Sequence, residues 1–239
     1  GKLDGVSAVS LHPYRKDAPE SYAAFVAPLK QMLQAYGVKA PLWDTEWGYS
    51  SSGDIEAARF GQGRDPRALR RQGILVLRKV LTHLALDTPL HTIYDMTDDG
   101  DDPSNREHNF GLQTRQGADK PAMTGLRTLL KAQTGRVFKG FVTDVPPGVH
   151  VLRWESASDQ VDAVWVDTPD RTVNLTLPKG AKAMQWWDGG TLNAERIVEA
   201  GFDAANPTIQ RLLILVRDLL GFPRHLSQHV GGFVIASDN

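Results

Sequence analysis

The 239-residue chain carries 27 lysines and arginines against 28 aspartates and glutamates, a net charge of −1, and no cysteine. This balance leaves no electrostatic footprint for nucleic acid or an anionic membrane, and no apolar run reaches the roughly 18 residues of a membrane-spanning helix. The missing cysteines remove disulfides, thiolate nucleophiles and cysteine-based metal sites, while the length suffices for a real core in one or two modest domains.

The chain opens at Gly1, a few residues before a strand-like run, so an upstream portion is expected. Val6–Leu11 is apolar and β-prone and ends in His12-Pro13-Tyr14. Tyr22, Phe25, Val26, Leu29, Met32, Leu33 and Tyr36 recur at three- and four-residue steps, a helical stripe that Gly37 ends. Pro28 inside it predicts a kink or a later helix start. Val38–Thr45 reads as the next strand, with Glu46 at its C-terminal end between Trp43 and Trp47. Asp65-Pro66 opens a helix in cap-then-proline order that runs to about Leu86. Leu90–Met96 is a third strand, followed by a polar loop over Thr97–Arg106, and Asp119-Lys120-Pro121 opens a last helix that stops at Gly135.

Strand–helix alternation with short links predicts a parallel sheet covered by helices, with its chemistry where the strands end. Candidate residues collect there: His12 and Tyr14 after the first strand, Glu46 after the second, Tyr94 and Asp95 at the end of the third. A carboxylate between tryptophans suits sugar cleavage, because an indole stacks on the apolar face of a pyranose while the carboxylate attacks or protonates the anomeric bond. Asp44 alternates away from its neighbours and reads as structural. Glu107 and the Asp98–Asp102 run read as solvated charge, and His83 and His150 as satisfied structural residues. The acidic loop with His108 matches neither a calcium loop nor a paired-histidine helix, so no metal and no cofactor are expected.

The segments LHPYR, PLWDTEWGYSS and IYDMTDDGDDPSNREHNFGL resemble the last three strands of a clan A glycoside hydrolase barrel, close to family thirty-nine. The resemblance covers about residues 1–135. It implies strands six to eight of a (β/α)₈ barrel, Glu46 as the nucleophile of a retaining mechanism, and His12 and Tyr14 orienting that carboxylate and the sugar. It also implies Trp43, Trp47 and Tyr94 around a carbohydrate substrate, while Met96 departs from the aromatic expected nearby. A retaining mechanism needs a second carboxylic acid. The clan supplies it in an Asn-Glu pair, and no such dipeptide occurs in this chain. The resemblance therefore implies half a catalytic pair, inactive alone, or a non-catalytic sugar-binding remnant using the same aromatics.

After Gly135 the period changes. Val149–Glu155, Val161–Asp167, Arg171–Leu177 and Ala181–Trp187 are short segments separated by turn residues, the rhythm of antiparallel hairpins. They fit the small β-sandwich that often follows such barrels, here incomplete, over about 136–193. Trp154, Trp165, Trp186 and Trp187 at alternating positions read as core before platform. From about Glu195 the character changes again. Ile209, Leu212, Leu213, Val216, Leu219 and Leu220 form a helical stripe, and GFPRHLSQHVGGFVI follows. This tail resembles a palm segment of the alpha subunit of C-family bacterial DNA polymerases, the error-prone branch especially. That resemblance implies that Arg224, His225, Ser227 and His229 lie near a polymerase site whose catalytic aspartates are elsewhere. The tail holds Arg196, Arg211, Arg217 and Arg224 against Glu195, Glu199, Asp203, Asp218 and Asp238, so nucleic-acid binding by this piece has no charge support. A hydrolase end joined to a polymerase interior reads as a chimera with its junction near Leu192–Glu195. In that reading Gly231–Ile235 is a strand without its own sheet.

Overall fold

The computed structural model describes residues 5–53, 61–167, 181–183, 187 and 234–236. They hold a mixed α/β fold with two small sheets, and the chain divides into two compact units, Gly1–Thr124 and Gly125–Asn239.

In the first unit the order is β1 (Val9–Leu11), a 3₁₀ turn (Pro19–Ser21), α1 (Tyr22–Ala35), β2 (Leu42–Trp47), α2 (Pro66–Ala85), β3 (His91–Ile93) and a second 3₁₀ turn (Arg106–Asn109). The three strands lie side by side in chain order and are parallel. Helix α1 buries Tyr22 and Val26 against Leu42, with Val9, Leu11, Leu29, Leu33 and Leu86 packed around them. Tyr22, Val26, Leu29 and Leu33 form one narrow stripe. Phe25, Met32 and Tyr36 lie roughly 70° round the helix and stay exposed. The helix runs through Pro28 without the later start its position predicts. At α2 the expected cap is present: the Asp65 carboxylate accepts the Arg67 amide at 2.8 Å, and Pro66 fills the first turn.

Strand β2 carries the feature that places the site. Asp44 pairs with His91 and Trp47 with Ile93, so three steps on β2 span two on β3. That bulge breaks the two-residue alternation. Without it Asp44 and Glu46 would share a face. With it, Asp44 and Trp47 turn to His83 on α2, while Glu46 turns to Tyr14.

The second unit contains β4 (Val137–Phe141), β5 (Val149–Glu155), β6 (Gln160–Val166), β7 (Ala181–Ala183) and β8 (Val234–Ala236) in one antiparallel sheet ordered β4-β5-β6-β8-β7. Helix α3 (Pro121–Gln133) precedes it in the chain. Trp154 and Trp165 are buried, as core residues should be, and Asp162 is buried in a two-pronged pair with Arg153 at 2.9 and 2.8 Å. His150 stacks on Trp165 at 5.0 Å. The Arg171–Leu177 strand, Trp186 and the Ile209–Leu220 stripe lie outside the described residues. The expectation of a tail strand without a sheet is corrected: Val234–Ala236 pairs with Asp162–Gln160 on one side and with β7 on the other. An exposed strand edge presents a row of unpaired backbone groups, and any strand of suitable length can satisfy them.

Candidate functional site

Glu46 and its neighbours form the site. The Tyr14 hydroxyl donates to Glu46 Oε1 at 2.6 Å, and His12 Nδ1 lies 3.7 Å from Oε2. The carboxylate side chain remains 39% exposed and the imidazole 56%, so the second oxygen is open to a ligand. Burial, and then the bond to Glu46, push the Tyr14 phenol above its usual range. It therefore stays a donor at any physiological pH.

Three rings form a cluster beside the carboxylate. Tyr14 meets Tyr94 at 6.2 Å and Phe110 at 5.7 Å, and Tyr94 meets Phe110 at 5.4 Å, all edge to face. Gly48 makes this approach possible, because a Cβ there would sit 2.1 Å from the Tyr94 carbonyl oxygen and 2.9 Å from the Phe110 ring. The Tyr94 hydroxyl donates to Asp99, which raises that phenol to about 12, with burial adding. The Tyr94–Asp95 peptide bond is cis. Burial, then the charges of Asp99 and Asp98, raise the Asp95 carboxyl to about 6.

The loops after β2 and β3 are locked together. Ser50, Ser51 and Ser52 are buried, and their hydroxyls donate to the carbonyls of Arg106, Asn109 and Ser104. From α2 the buried Gln72 amide nitrogen lies 3.0 Å from the Tyr49 carbonyl, 3.1 Å from Asn109, 2.9 Å from Phe110 and 3.3 Å from Gly111. Lys120, also buried, pairs with Asp98 at 2.7 Å and donates to the Gly111 carbonyl at 2.8 Å. This corrects the reading of the whole Asp98–Asp102 run as solvated charge. Asp98 is 4% exposed and organises the loop, whereas Asp101 pairs with Arg64 and Arg115 at the surface. Glu107 is exposed and paired with Arg106 at 3.1 Å.

Behind β2 lies a second polar cluster that reaches no solvent. Asp44 accepts the Tyr22 hydroxyl at 2.6 Å and the His83 Nε2–H at 2.6 Å, and all three residues are 0% exposed. Burial works against the Asp44 charge, but the bonds from His83 and Tyr22 outweigh it and hold the carboxyl below its usual range. Burial lowers His83 to about 4, leaving a neutral ring stacked on His91 at 4.6 Å. The Lys79 amine sits 3.1 Å from the centre of the Tyr22 ring with no hydrogen-bond acceptor among the described residues, and burial lowers it to about 7.

Of the residues that sequence reasoning selects, the structure brings His12, Tyr14, Glu46 and Tyr94 together. Trp43 is half-buried on β2 in register with Ser10. Trp47 is placed elsewhere. At 1% exposure, with its ring 5.1 Å from His83 and 6.0 Å from His91, it packs behind the strand and offers no face to a ligand. The bulge is the cause. Phe110 is the site residue that the sequence reading missed. Its signal was an aromatic just after a polar loop at a strand end. Among the described residues no cluster of three or more histidine, aspartate or glutamate side chains could hold a metal ion, and no helix is long and apolar enough to cross a membrane.

Comparison with known proteins divides the chain. The family model described as the bacterial DNA polymerase III alpha NTPase domain matches residues 169–239, beginning upstream of Glu195. An error-prone DNA polymerase of Aromatoleum aromaticum is 57% identical over 67 residues, which cover 26% of this chain and 6% of that protein. The one from Ralstonia nicotianae is 57% identical over 56 residues, 23% of this chain and 5% of the relative. That of Xanthomonas campestris pv. campestris is 52% identical over 86 residues, 36% and 8%. The chain thus spans less than a tenth of these relatives. Among solved structures, a family 39 glycoside hydrolase from Bacteroides cellulosilyticus WH2 matches with a TM-score of 0.51 at 19% identity, over 70% of this chain and 35% of that one. At this identity the likeness is one of fold. One part of the chain is polymerase-like in sequence, and the chain is glycoside-hydrolase-like in structure, a combination consistent with a chimera.

Proposed function

We propose that the first unit carries the nucleophile half of a retaining glycoside hydrolase site, with β1, β2 and β3 standing for the last three strands of a (β/α)₈ barrel. The observation that carries this is the setting of Glu46. Its carboxylate lies at the C-terminal end of a parallel strand, one oxygen fixed by a phenol that stays protonated and the other open. A nucleophilic carboxylate needs this combination, because it must be aimed and still be reachable by an anomeric carbon. Tyr14, Tyr94 and Phe110 supply an aromatic wall for the sugar, with His12 beside the carboxylate, whereas Trp43, second in β2 and paired with Ser10, stands back from that strand end. Trp47 has no part in it.

The chain has no Asn-Glu dipeptide to supply the acid/base partner, so on this reading it does not turn over alone. Two measurements test the proposal. In a protein with the missing barrel portion restored, Glu46→Gln should lower the glycosidase rate by at least a hundredfold, and activity within tenfold of the parent refutes the assignment. The 239-residue chain should hydrolyse an aryl glycoside at no enzyme-like rate, and several turnovers per second abolished by Glu46→Ala would refute the half-site.

A second reading concerns residues 169–239 alone. Their match to the polymerase family favours an origin in a polymerase alpha subunit, joined here to the hydrolase-like part. With seven acidic residues against seven lysines and arginines over residues 169–239, binding to single- or double-stranded DNA at 150 mM salt should be absent. Micromolar affinity would restore a polymerase-like role for Arg224, His225, Ser227 and His229.

A further inference from the structure

We propose that the Glu46 face selects sugars by charge, accepting neutral or amino-bearing glycosides and rejecting those that carry a carboxylate, sulfate or phosphate. The inference rests on the sugar-site reading above and adds the substrate class. Each ring of the aromatic cluster is tied to a carboxylate. Tyr14 donates to Glu46 at 2.6 Å, and Tyr94 donates to Asp99. Phe110 lies 4.5 Å beneath the Arg106 guanidinium, which holds Glu107 at 3.1 Å. The Asp99 and Glu107 groups come from the loop after β3 and are not used by the chemistry assigned to Glu46.

Among the described residues the opposing cations are few. Lys120 is buried on Asp98, Arg106 is already paired with Glu107, and the exposed His12 ring faces Glu46 itself. Among the described residues carboxylates therefore outnumber guanidinium and ammonium groups around the rings. The phenols register the same field. Burial and Glu46 raise Tyr14, the Asp99 bond and burial raise Tyr94, and the charge of Glu107 adds to both. An anionic sugar seated on the rings would bring its charge toward these groups with no free cation among the described residues to receive it, whereas an ammonium group would be drawn in.

The test is a titration of the full chain with methyl β-D-glucoside, methyl β-D-glucosaminide and methyl β-D-glucuronide, followed by amide and aromatic chemical shifts at low and high salt. The glucuronide should bind at least tenfold more weakly than the glucoside at low salt, and the glucosaminide should bind more tightly than either. Both gaps should narrow at 0.5 M salt, where charge is screened over about 4 Å. Glu107→Gln and Asp99→Asn should each reduce the glucoside-to-glucuronide ratio at least threefold. Equal or tighter binding of the glucuronide overturns the charge inference and leaves the sugar site standing. Silence from all three sugars at tens of millimolar overturns the sugar-site reading, and the inference falls with it.

Discussion

Asp44 and Glu46 stand two residues apart on one strand, and each is held by one tyrosine and one histidine. Asp44 accepts from Tyr22 and His83, both at 2.6 Å, inside a cluster with no exposure. Glu46 accepts from Tyr14 at 2.6 Å and faces His12 at 3.7 Å, with 39% of its side chain in solvent. The parts are the same, and burial decides what they do. Behind the strand, both Asp44 oxygens are used and the carboxylate can only hold structure. In front, Tyr14 holds one oxygen closely and the other meets only the exposed His12 ring at 3.7 Å. A buried charge is tolerated only with full pairing, whereas a reactive one requires incomplete pairing.

The sharpest break of this comparison is to remove each carboxylate. Asp44→Ala strands the Tyr22 hydroxyl and the His83 N–H in a dry interior and should cost about 3–5 kcal/mol in urea unfolding. Glu46→Ala, at a half-open position, should cost under about 1 kcal/mol. Equal costs would mean that the two environments do not differ as described. Trp47→Ala should cost about 3 kcal/mol by opening a cavity, yet leave sugar-induced shifts at Tyr14 and Tyr94 in place. Loss of those shifts in a folded variant would return Trp47 to the site.

Acid should act on the buried cluster first. In the unfolded chain His83 protonates near pH 6.5, but in the fold only near 4. Between those values the unfolded state binds more protons, so stability is full above about 6.5 and falls as pH drops toward 4. The loss from this group is on the order of 3 kcal/mol, and His83→Phe should flatten that slope even though it weakens the fold. Lys79 acts at the other end. Its folded value of about 7 lies below the unfolded 10.5, so stability should climb as pH rises between them. Lys79→Met keeps the stem, removes an amine with no acceptor among the described residues, and should raise stability by about 1 kcal/mol at pH 7 while abolishing the alkaline climb. A destabilised Lys79→Met protein would show that the contact with the Tyr22 ring outweighs the burial of the charge.

Much of the first unit was readable in the sequence because its signals are local. The Asp65-Pro66 cap, the α1 stripe and the strand–helix order all depend on neighbours within a few positions. Asp44 was readable as structural, since alternation sets it apart from Trp43 and Thr45. The fates of Glu46 and Trp47 were not separable in the same way. Strict alternation would put Glu46 on the side of Asp44 and Trp47 on the other, and only the bulge exchanges them. A bulge is set by pairing with β3, more than forty residues on, and leaves no local pattern. The Lys120–Asp98 pair was hidden for the same reason. Its aspartate sits in a run of four acids within five residues, and only the fold chooses which one meets the buried lysine. In the second unit Trp154 and Trp165 read correctly as core, because a hairpin keeps its period throughout.

Gln72 has a consequence for how this molecule can change. Its amide nitrogen lies within hydrogen-bond reach of carbonyls on the loop after β2 and on the loop after β3 at once. Where parallel strands carry a site at their ends, the strand-end loops are usually treated as separable modules, exchanged one at a time to acquire a new specificity. Here the two loops are a single unit of inheritance. Grafting either one alone would leave a buried amide reaching for carbonyls that had moved, so a new specificity at this face has to be acquired by replacing both together or by changing side chains on a backbone that stays as it is.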